Sequence, residues 1–398
     1  MGYRKNRSTM TALLQMYDRW VSGAGSKKLS GIVLLDLSAA FDLVNPDLLV
    51  QKLKVYGLGN DFIAWIECYM SCRKQAVWVD HALSDWLDVE VGVPQGSILG
   101  PLLFIIFSND LPYILSCSID QYADDSTLSC VKSTVIEIST ELNESCSTVS
   151  QWMVSNQLCL NADKTHLMLG GTSQKLLQSN NEGVLSVTMN GFNLSESEDN
   201  CENVLGVFLQ PNLKWTKHCT ELLSRLKVRL NGLRKIQSSL CLAKRKMVSQ
   251  AIFQSVLTYC IPVWGGAAKR EIDKLQILQN TAAQFVLKLP GRSNRIEMFR
   301  RLGWLTVHQL VTFYRIVAVY NIRRTGEPEY LHRKLARDNV RGNIIVPHTN
   351  LTLLKRSFVF HGALMWNSVP LEMRMIENKK IFQQELKGWV LSNVTMFP

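Results

Sequence analysis

The sequence predicts an α+β fold whose back half is almost wholly helical, and three observations carry that expectation. A short apolar, β-branched run, Gly31-Ile32-Val33-Leu34-Leu35, ends directly in Asp36. A strand, tight turn and strand pattern surrounds Ala123-Asp124-Asp125. From about Trp215 onward apolar residues recur at helical spacing, among them Leu222, Leu226, Leu230 and Leu233. Charge divides the chain as well. Residues 1–200 hold 13 Lys and Arg against 22 Asp and Glu, and residues 201–398 hold 31 against 11. The basic half fits a polyanionic partner such as nucleic acid, whereas the acidic half must contain whatever needs carboxylates. The 398 residues are 46% hydrophobic and 19% charged, which excludes disordered, collagen-like and low-complexity architectures.

Taken in order, residues 10–22 (Leu13, Leu14, Tyr17, Trp20, Val21) read as an amphipathic helix ended by Gly23-Ala24-Gly25, and residues 31–35 as a buried strand. Residues 48–73 read as helix, broken at Gly57-Leu58-Gly59-Asn60, with Asp61 as the expected cap of the second piece. Residues 75–91 alternate in short bursts, predicting a hairpin around Ser84-Asp85, and residues 96–106 predict a helix. After the hairpin around Ala123 come a helix over 135–157, a strand over 166–169, and a polar, loosely structured stretch over 171–201. Trp264-Gly265-Gly266 marks a break between two helical blocks, the second running to Trp389.

No apolar run approaches the ~18 residues of a membrane span, so no membrane partner is expected, and the first residues lack the apolar core of a secretory signal. The ten cysteines show no pairing logic. Cys68 and Cys72 lack a second close pair to complete a zinc site, and His218-Cys219 stands alone, so the thiols are expected to be reduced, buried and intracellular.

Adjacent strands of one sheet would bring Asp36 together with Asp124 and Asp125. Three carboxylates at one site repel and raise each other's pKa unless cations neutralise them. Oxygen-only ligands favour Mg²⁺, and two such ions about 3.5–4 Å apart serve in-line phosphoryl chemistry. The plainer alternative for either position is a capping or solvated aspartate.

Five motifs, in order, carry a family resemblance. Leu35-Asp36-Leu37-Ser38-Ala39-Ala40-Phe41-Asp42 resembles the first palm motif of reverse transcriptases, and Gly92-Val93-Pro94-Gln95-Gly96-Ser97-Ile98-Leu99-Gly100-Pro101 the second. Tyr122-Ala123-Asp124-Asp125 resembles the catalytic hairpin, Leu160-Asn161-Ala162-Asp163-Lys164-Thr165 the Lys-containing motif that follows, and Leu205-Gly206-Val207 the primer grip. Phe41-Asp42, Ser108-Asn109-Asp110-Leu111-Pro112, Trp264-Gly265 and Leu302-Gly303-Trp304 are similar in flavour to LINE-type (non-long-terminal-repeat) retrotransposons.

The resemblance implies a right-hand polymerase: partial fingers over 1–30, an antiparallel-sheet palm over 31–212, a helical thumb over 213–262 and a helical C-terminal extension over 263–398. It implies that Asp36 and Asp124 coordinate two Mg²⁺ ions, with Mn²⁺ as a possible substitute, that Asp125 completes the cluster, and that the Leu37 carbonyl is a further ligand. Phe41 would sit beneath the sugar and select deoxynucleotides, although core packing explains the ring equally. Tyr122 would border the substrate. Gln95 and Gly96 would face the incoming nucleotide or form a plain turn; a phosphate loop is rejected, because Pro101 stands where that motif needs Lys. Lys164 would protonate the leaving pyrophosphate or remain a solvated surface lysine. Leu205 and Gly206 would hold the primer, and Arg225, Lys227, Arg229, Arg234, Lys235, Lys244, Arg245 and Lys246 would pack on the backbone of an RNA–DNA hybrid. The expected partners are RNA template, DNA primer and dNTPs, protein partners being undetermined.

Gly2-Tyr3-Arg4-Lys5-Asn6-Arg7-Ser8-Thr9 resembles a motif that family members carry inside their fingers. The sequence therefore reads as an open reading frame truncated at an internal methionine, without the preceding fingers segment, the endonuclease or a C-terminal zinc knuckle. The leading expectation is an RNA-directed DNA polymerase module acting inside the cell, in the nucleus for the parent element. The alternatives are an inactive remnant that only binds nucleic acid, and a maturase- or telomerase-like palm polymerase.

Overall fold

A four-stranded antiparallel sheet organises the front of the chain. In the computed structural model, which describes residues 2–179, 181–197, 200–291 and 293–393, the strand order is His166–Gly170, Leu29–Leu35, Asp125–Lys132, Ser118–Tyr122. Leu29–Leu35 is the apolar run read from the sequence. It is central, pairing Leu35 with Ser126 on one side and Leu34 with His166 on the other. Buried on both faces, it has no solvent side and so reads as a continuous rather than an alternating apolar stretch.

The helix Val135–Ser155 packs on this sheet and starts with a capping box, in which Thr134 and Glu137 each satisfy the other's backbone N–H. Leu29, Val33, Leu128, Ile138, Leu142, Phe104 and Phe107 belong to one buried cluster. The helix Pro46–Val55 is set by the Asn45 cap followed by proline. Asp110 ties the same region together. It accepts from Lys52 at 2.7 Å and from the Trp152 indole at 3.1 Å, so the Ser-Asn-Asp-Leu-Pro segment has a structural role.

Several sequence expectations are corrected. The second helical piece, Asn60–Met70, is capped by Gly59 without a side-chain bond, not by Asp61. The hairpin over 75–91 turns at Asp80-His81, between Val79 and Ala82, rather than at Ser84-Asp85. Ser84 instead hydrogen-bonds through its hydroxyl to the Val77 amide at 2.9 Å. The stretch expected to be loose contains a helix, Ser173–Ser179, and a small hairpin of Thr188–Met189 with Phe192–Asn193. All ten thiols are free, but Cys68, Cys72, Cys159 and Cys241 are exposed. Cys117, Cys130 and Glu141 bring their ligand atoms within 4.8 Å of one another, a cluster that sequence spacing does not reveal.

The chain divides into two units, and their boundary differs from the expected domains. One unit is Lys27–Asn200 with the residues before Thr9, and the other is Thr9–Ser26 with the residues from Cys201 on. The helix Thr9–Gly25, expected among the fingers, belongs to the second unit because its apolar residues pack there. Its Tyr17 hydroxyl donates to the Leu213 carbonyl at 2.7 Å, and Asp18 pairs with Lys334 at 2.5 Å. The primer-grip segment, placed within the palm by the sequence, also falls in this unit.

The second unit is mostly helical. Thr216–Lys235 packs on Lys269–Leu287, and Val307–Thr325 packs on Phe358–Ser368 and Lys379–Ser392. Tyr320 and Phe382 stack with ring centroids 4.1 Å apart. Among the described residues no single helix is long and apolar enough to cross a membrane.

Candidate active site

The register of the sheet builds the acidic cluster. Leu35 pairs with Ser126, so the next residues along the two antiparallel strands are Asp36 and Asp125. Tyr122 pairs with Asp125 across a two-residue turn made of Ala123 and Asp124. Ala123 has φ +58°, a conformation that favours glycine, and it throws Asp124 to the tip beside Asp125.

Partial desolvation, then the charge of Asp124, then that of Asp36 raise the pKa of Asp125. Asp36 and Asp124 are thus electrostatic neighbours of Asp125. Among the described residues no side-chain cation pairs with any of the three. A cluster of hard oxygen donors with unrelieved repulsion fits divalent metal ions.

A sign follows for stability. With its folded pKa above the ordinary 3.8, Asp125 binds more protons in the folded than in the unfolded chain across the interval between the two values. Metal-free stability therefore falls as pH rises through that interval. Asp125→Asn is expected to melt at a higher temperature than the parent at pH 7 without metal, the difference vanishing below about pH 4. Saturating divalent metal should reverse the order, and thermal melts with and without metal check both arms.

The Asp36 backbone is clamped by the Lys-containing motif. Its carbonyl accepts from the Asn161 amide at 2.9 Å, and its amide donates to the Thr165 hydroxyl at 3.4 Å. Thr165 in turn donates to the Asn161 carbonyl at 2.8 Å. Lys164 is exposed at this turn. Leu37 is drawn into a two-residue ladder with Leu160.

A second clamp joins the first two palm motifs. The Gly92 amide donates to the Val44 carbonyl and the Val93 amide to the Phe41 carbonyl, both at 2.8 Å. Gln95 donates one N–H of its side-chain amide to Asp42 at 2.7 Å. The Ser97 hydroxyl accepts from the Gly100 amide at 2.8 Å, occupying a donor at the start of the helix Leu99–Phe107. Phe41 is half-buried and stacks on the buried Phe104 ring at 4.4 Å. A groove of about 940 Å³ beside this clamp is lined by Asp42, Arg73, Lys74 and Gln95. Sequence reading missed Thr165, Asn161, Asp42 and Ser97 as positioning residues. Their signal lay inside the quoted motifs, but side-chain to backbone bonding is not visible in spacing.

The geometry is matched by similarity to known proteins. A sequence model of the family "Reverse transcriptase (RNA-dependent DNA polymerase)" matches residues 1–208. The chain belongs to the reverse transcriptase family. It is 28% identical over 302 residues to an RNA-directed DNA polymerase from mobile element jockey of Drosophila funebris, covering 73% of this chain and 31% of that protein. It is 26% identical over 345 residues to a probable RNA-directed DNA polymerase from transposon BS of Drosophila melanogaster, covering 84% and 37%. This reverse transcriptase chain thus spans about a third of the length of those curated relatives. Among solved structures, apo telomerase from Candida tropicalis aligns over 94% of this chain and 56% of that one, with 11% identity and a TM-score of 0.38. The matches bear out the LINE-type resemblance read from the motifs. Reverse transcriptases as a family use divalent metal ions.

In the second unit of this reverse transcriptase, Leu205 and Gly206 form the tip of the hairpin Glu202–Val204 with Val207–Leu209, at φ +48° and +81°. Positive φ at both central residues is the turn that suits the twist of a two-residue hairpin. Tyr259 donates its hydroxyl to the Leu205 carbonyl at 2.8 Å and holds the tip. The neighbouring His218 is buried and accepts from the Phe208 amide at 3.3 Å. Burial and nearby Arg225 bring its pKa down to about 3, so the ring is neutral.

Of the expected thumb cations, Arg225, Lys227, Arg229, Arg234, Lys235 and Lys244 are exposed and Lys246 is half-buried. Arg245 corrects the sequence reading. It is buried, and its guanidinium donates to the Val286 and Leu240 carbonyls at 2.8 and 2.5 Å, so it cannot face a nucleic-acid backbone.

Proposed function

We propose that this chain is an RNA-directed DNA polymerase module of a LINE-type element, extending a DNA primer on an RNA template from dNTPs. The convergence of Asp36, Asp124 and Asp125 at adjacent strand ends, with no side-chain cation paired to them among the described residues, carries the reading. Asp36 and Asp124 are the principal holders of two Mg²⁺ ions, replaceable by Mn²⁺, and Asp125 and the Leu37 carbonyl complete the set. When bound, these ions activate the primer 3′-hydroxyl and neutralise charge on the triphosphate.

The protein's own groups do the positioning. Asn161 and Thr165 fix the Asp36 backbone, and Phe41, braced by Phe104, closes the space beneath the nucleotide sugar. Asp42 orients Gln95 beside the groove, Tyr122 borders the nucleotide, and Lys164 offers a proton to pyrophosphate. Leu205 and Gly206 support the primer strand.

The exposed thumb cations contact phosphates without reading sequence. Lys227→Ala and Lys235→Ala are each expected to weaken hybrid binding and to reduce the log–log salt slope by about one. Arg245→Ala, by contrast, should cost about 1–3 kcal/mol of stability and leave that slope unchanged. Fluorescence anisotropy across a salt series, with thermal melts beside it, separates the two classes.

Primer extension on an RNA template with Mg²⁺ and dNTPs tests the function, with Asp124→Ala/Asp125→Ala as control. Extension by the parent chain alone supports the polymerase. Salt-sensitive hybrid binding without extension would leave a binding remnant in its place.

A further inference from the structure

The Trp264-Gly265-Gly266 break walls a cavity of about 290 Å³ in the second unit. That is near the lower end of small-ligand pockets, roughly 300–1,000 Å³, too small for a duplex and suited to a single nucleotide. Lys269, Lys355 and Arg356 are exposed at its edge, His361 is half-buried, and among the described residues no Asp or Glu lines it. His308 also lines it but is paired with Asp273 at 3.0 Å.

Behind this wall Arg315 is fully buried. It donates to the Pro262 and Arg356 carbonyls at 3.1 and 3.3 Å and meets the His361 Nδ1 at 3.1 Å. Among the described residues no carboxylate pairs with it. Burial, then Arg315 and Arg356, hold the His361 pKa at about 4, so at neutral pH its Nδ1 accepts from Arg315. The helix Lys269–Leu287 also begins here without a side-chain cap, its Glu271 amide being bonded to the Ala268 carbonyl at 2.8 Å.

The apolar part of the lining is Ile272, Val311, Met365, Trp389 and Val390, set beside three threonines, Gln309 and Asn393. The close wall requires Gly266, since a Cβ there would lie 2.2 Å from the Arg356 carbonyl oxygen and 3.0 Å from the Arg315 guanidinium.

We infer that this cavity binds one nucleotide of a single-stranded nucleic acid, its phosphate at Lys269, Lys355 and Arg356 and its base against Met365 and Trp389. Inorganic phosphate would use the cations and leave the apolar surface wet. A purely apolar ligand would leave the cations unused. A nucleotide uses both, by the pairing of charge and base stacking seen in single-strand binding. The inference shares only a nucleic-acid partner with the polymerase reading and involves no palm residue.

The test is photocrosslinking of the full chain, without divalent metal, to a short single-stranded RNA containing 4-thiouridine, with the adducts mapped by mass spectrometry. Adducts are expected in peptides carrying Met365 or Trp389. Lys269→Gln/Lys355→Gln, changed at exposed positions, should lose crosslinking and affinity by about five-fold or more. Trp389→Leu, which keeps an apolar side chain but removes the ring, should lose the adduct in the same way. Asp124→Asn should change neither, so failure of the palm reading would not touch this result. Uridine 5′-monophosphate serves as the free-nucleotide arm. Adducts confined to other segments, equal adducts in the charge variants, or saturation by the monophosphate with no RNA adduct would each overturn the inference.

Discussion

Asp36→Asn and Asp124→Asn are each expected to slow primer extension by about 10³-fold or more, and Asp125→Asn by less. The argument is electrostatic. A bound metal is worth several kcal/mol of transition-state charge stabilisation, and each 1.36 kcal/mol is a factor of ten in rate. Asp36 closes the central strand and Asp124 occupies the hairpin tip, the two positions proposed to touch both ions. Asp125 lies across the register from Asp36, and its pKa is raised first by burial and then by the charges of Asp124 and Asp36. Single-turnover extension rates measure the hierarchy. Melting curves without metal exclude unfolding as the cause, because removing one of three crowded carboxylates should not lower stability. Equal rates for parent and Asp124→Asn would remove the site from the mechanism.

Gly92→Ala is expected to cost about 2–4 kcal/mol of stability and to cripple extension, whereas Gly96→Ala should cost only about 1 kcal/mol. Both glycines have positive φ, +86° and +76°, so both substitutions strain the backbone. Only at Gly92 does a Cβ meet protein, lying 2.7–2.9 Å from the Asp42 backbone. That backbone cannot easily retreat, because the amides of Gly92 and Val93 are bonded to the carbonyls of Val44 and Phe41. Separating the two segments would displace Phe41, Asp42 and Gln95 together. Around Gly96 there is open space within 4 Å. Denaturant melts of the two variants give the difference directly, and equal costs would contradict the clamp.

The acidic site was legible because its signals are local. A buried strand announces itself by an apolar run, and a tight turn between apolar strands places its residues at a tip, so Asp36, Asp124 and Asp125 follow from pattern. The helix Thr216–Lys235 was legible for the same reason, from the spacing of Leu222, Leu226, Leu230 and Leu233. What failed depends on distant packing. Arg245 reads as one of three consecutive basic residues, yet its helix turns it inward onto the carbonyls of Val286 and Leu240. The helix Thr9–Gly25 precedes the central strand in sequence, yet its apolar residues are buried with the second unit. Turn chemistry accounts for Asp80-His81, where both residues adopt positive φ although neither is glycine. Ser84-Asp85 carries the commoner turn residues, but the Ser84 hydroxyl supports the strand end instead.

The most direct test of the central claim is a Mn²⁺ titration of the full chain followed by paramagnetic broadening of backbone amide resonances. The account predicts that broadening begins around Leu35-Asp36-Leu37 and Tyr122-Ala123-Asp124-Asp125, is displaced by excess Mg²⁺, and disappears in Asp36→Asn/Asp124→Asn. Broadening that begins elsewhere, or that persists unchanged in the double variant, would contradict a metal site built from these carboxylates.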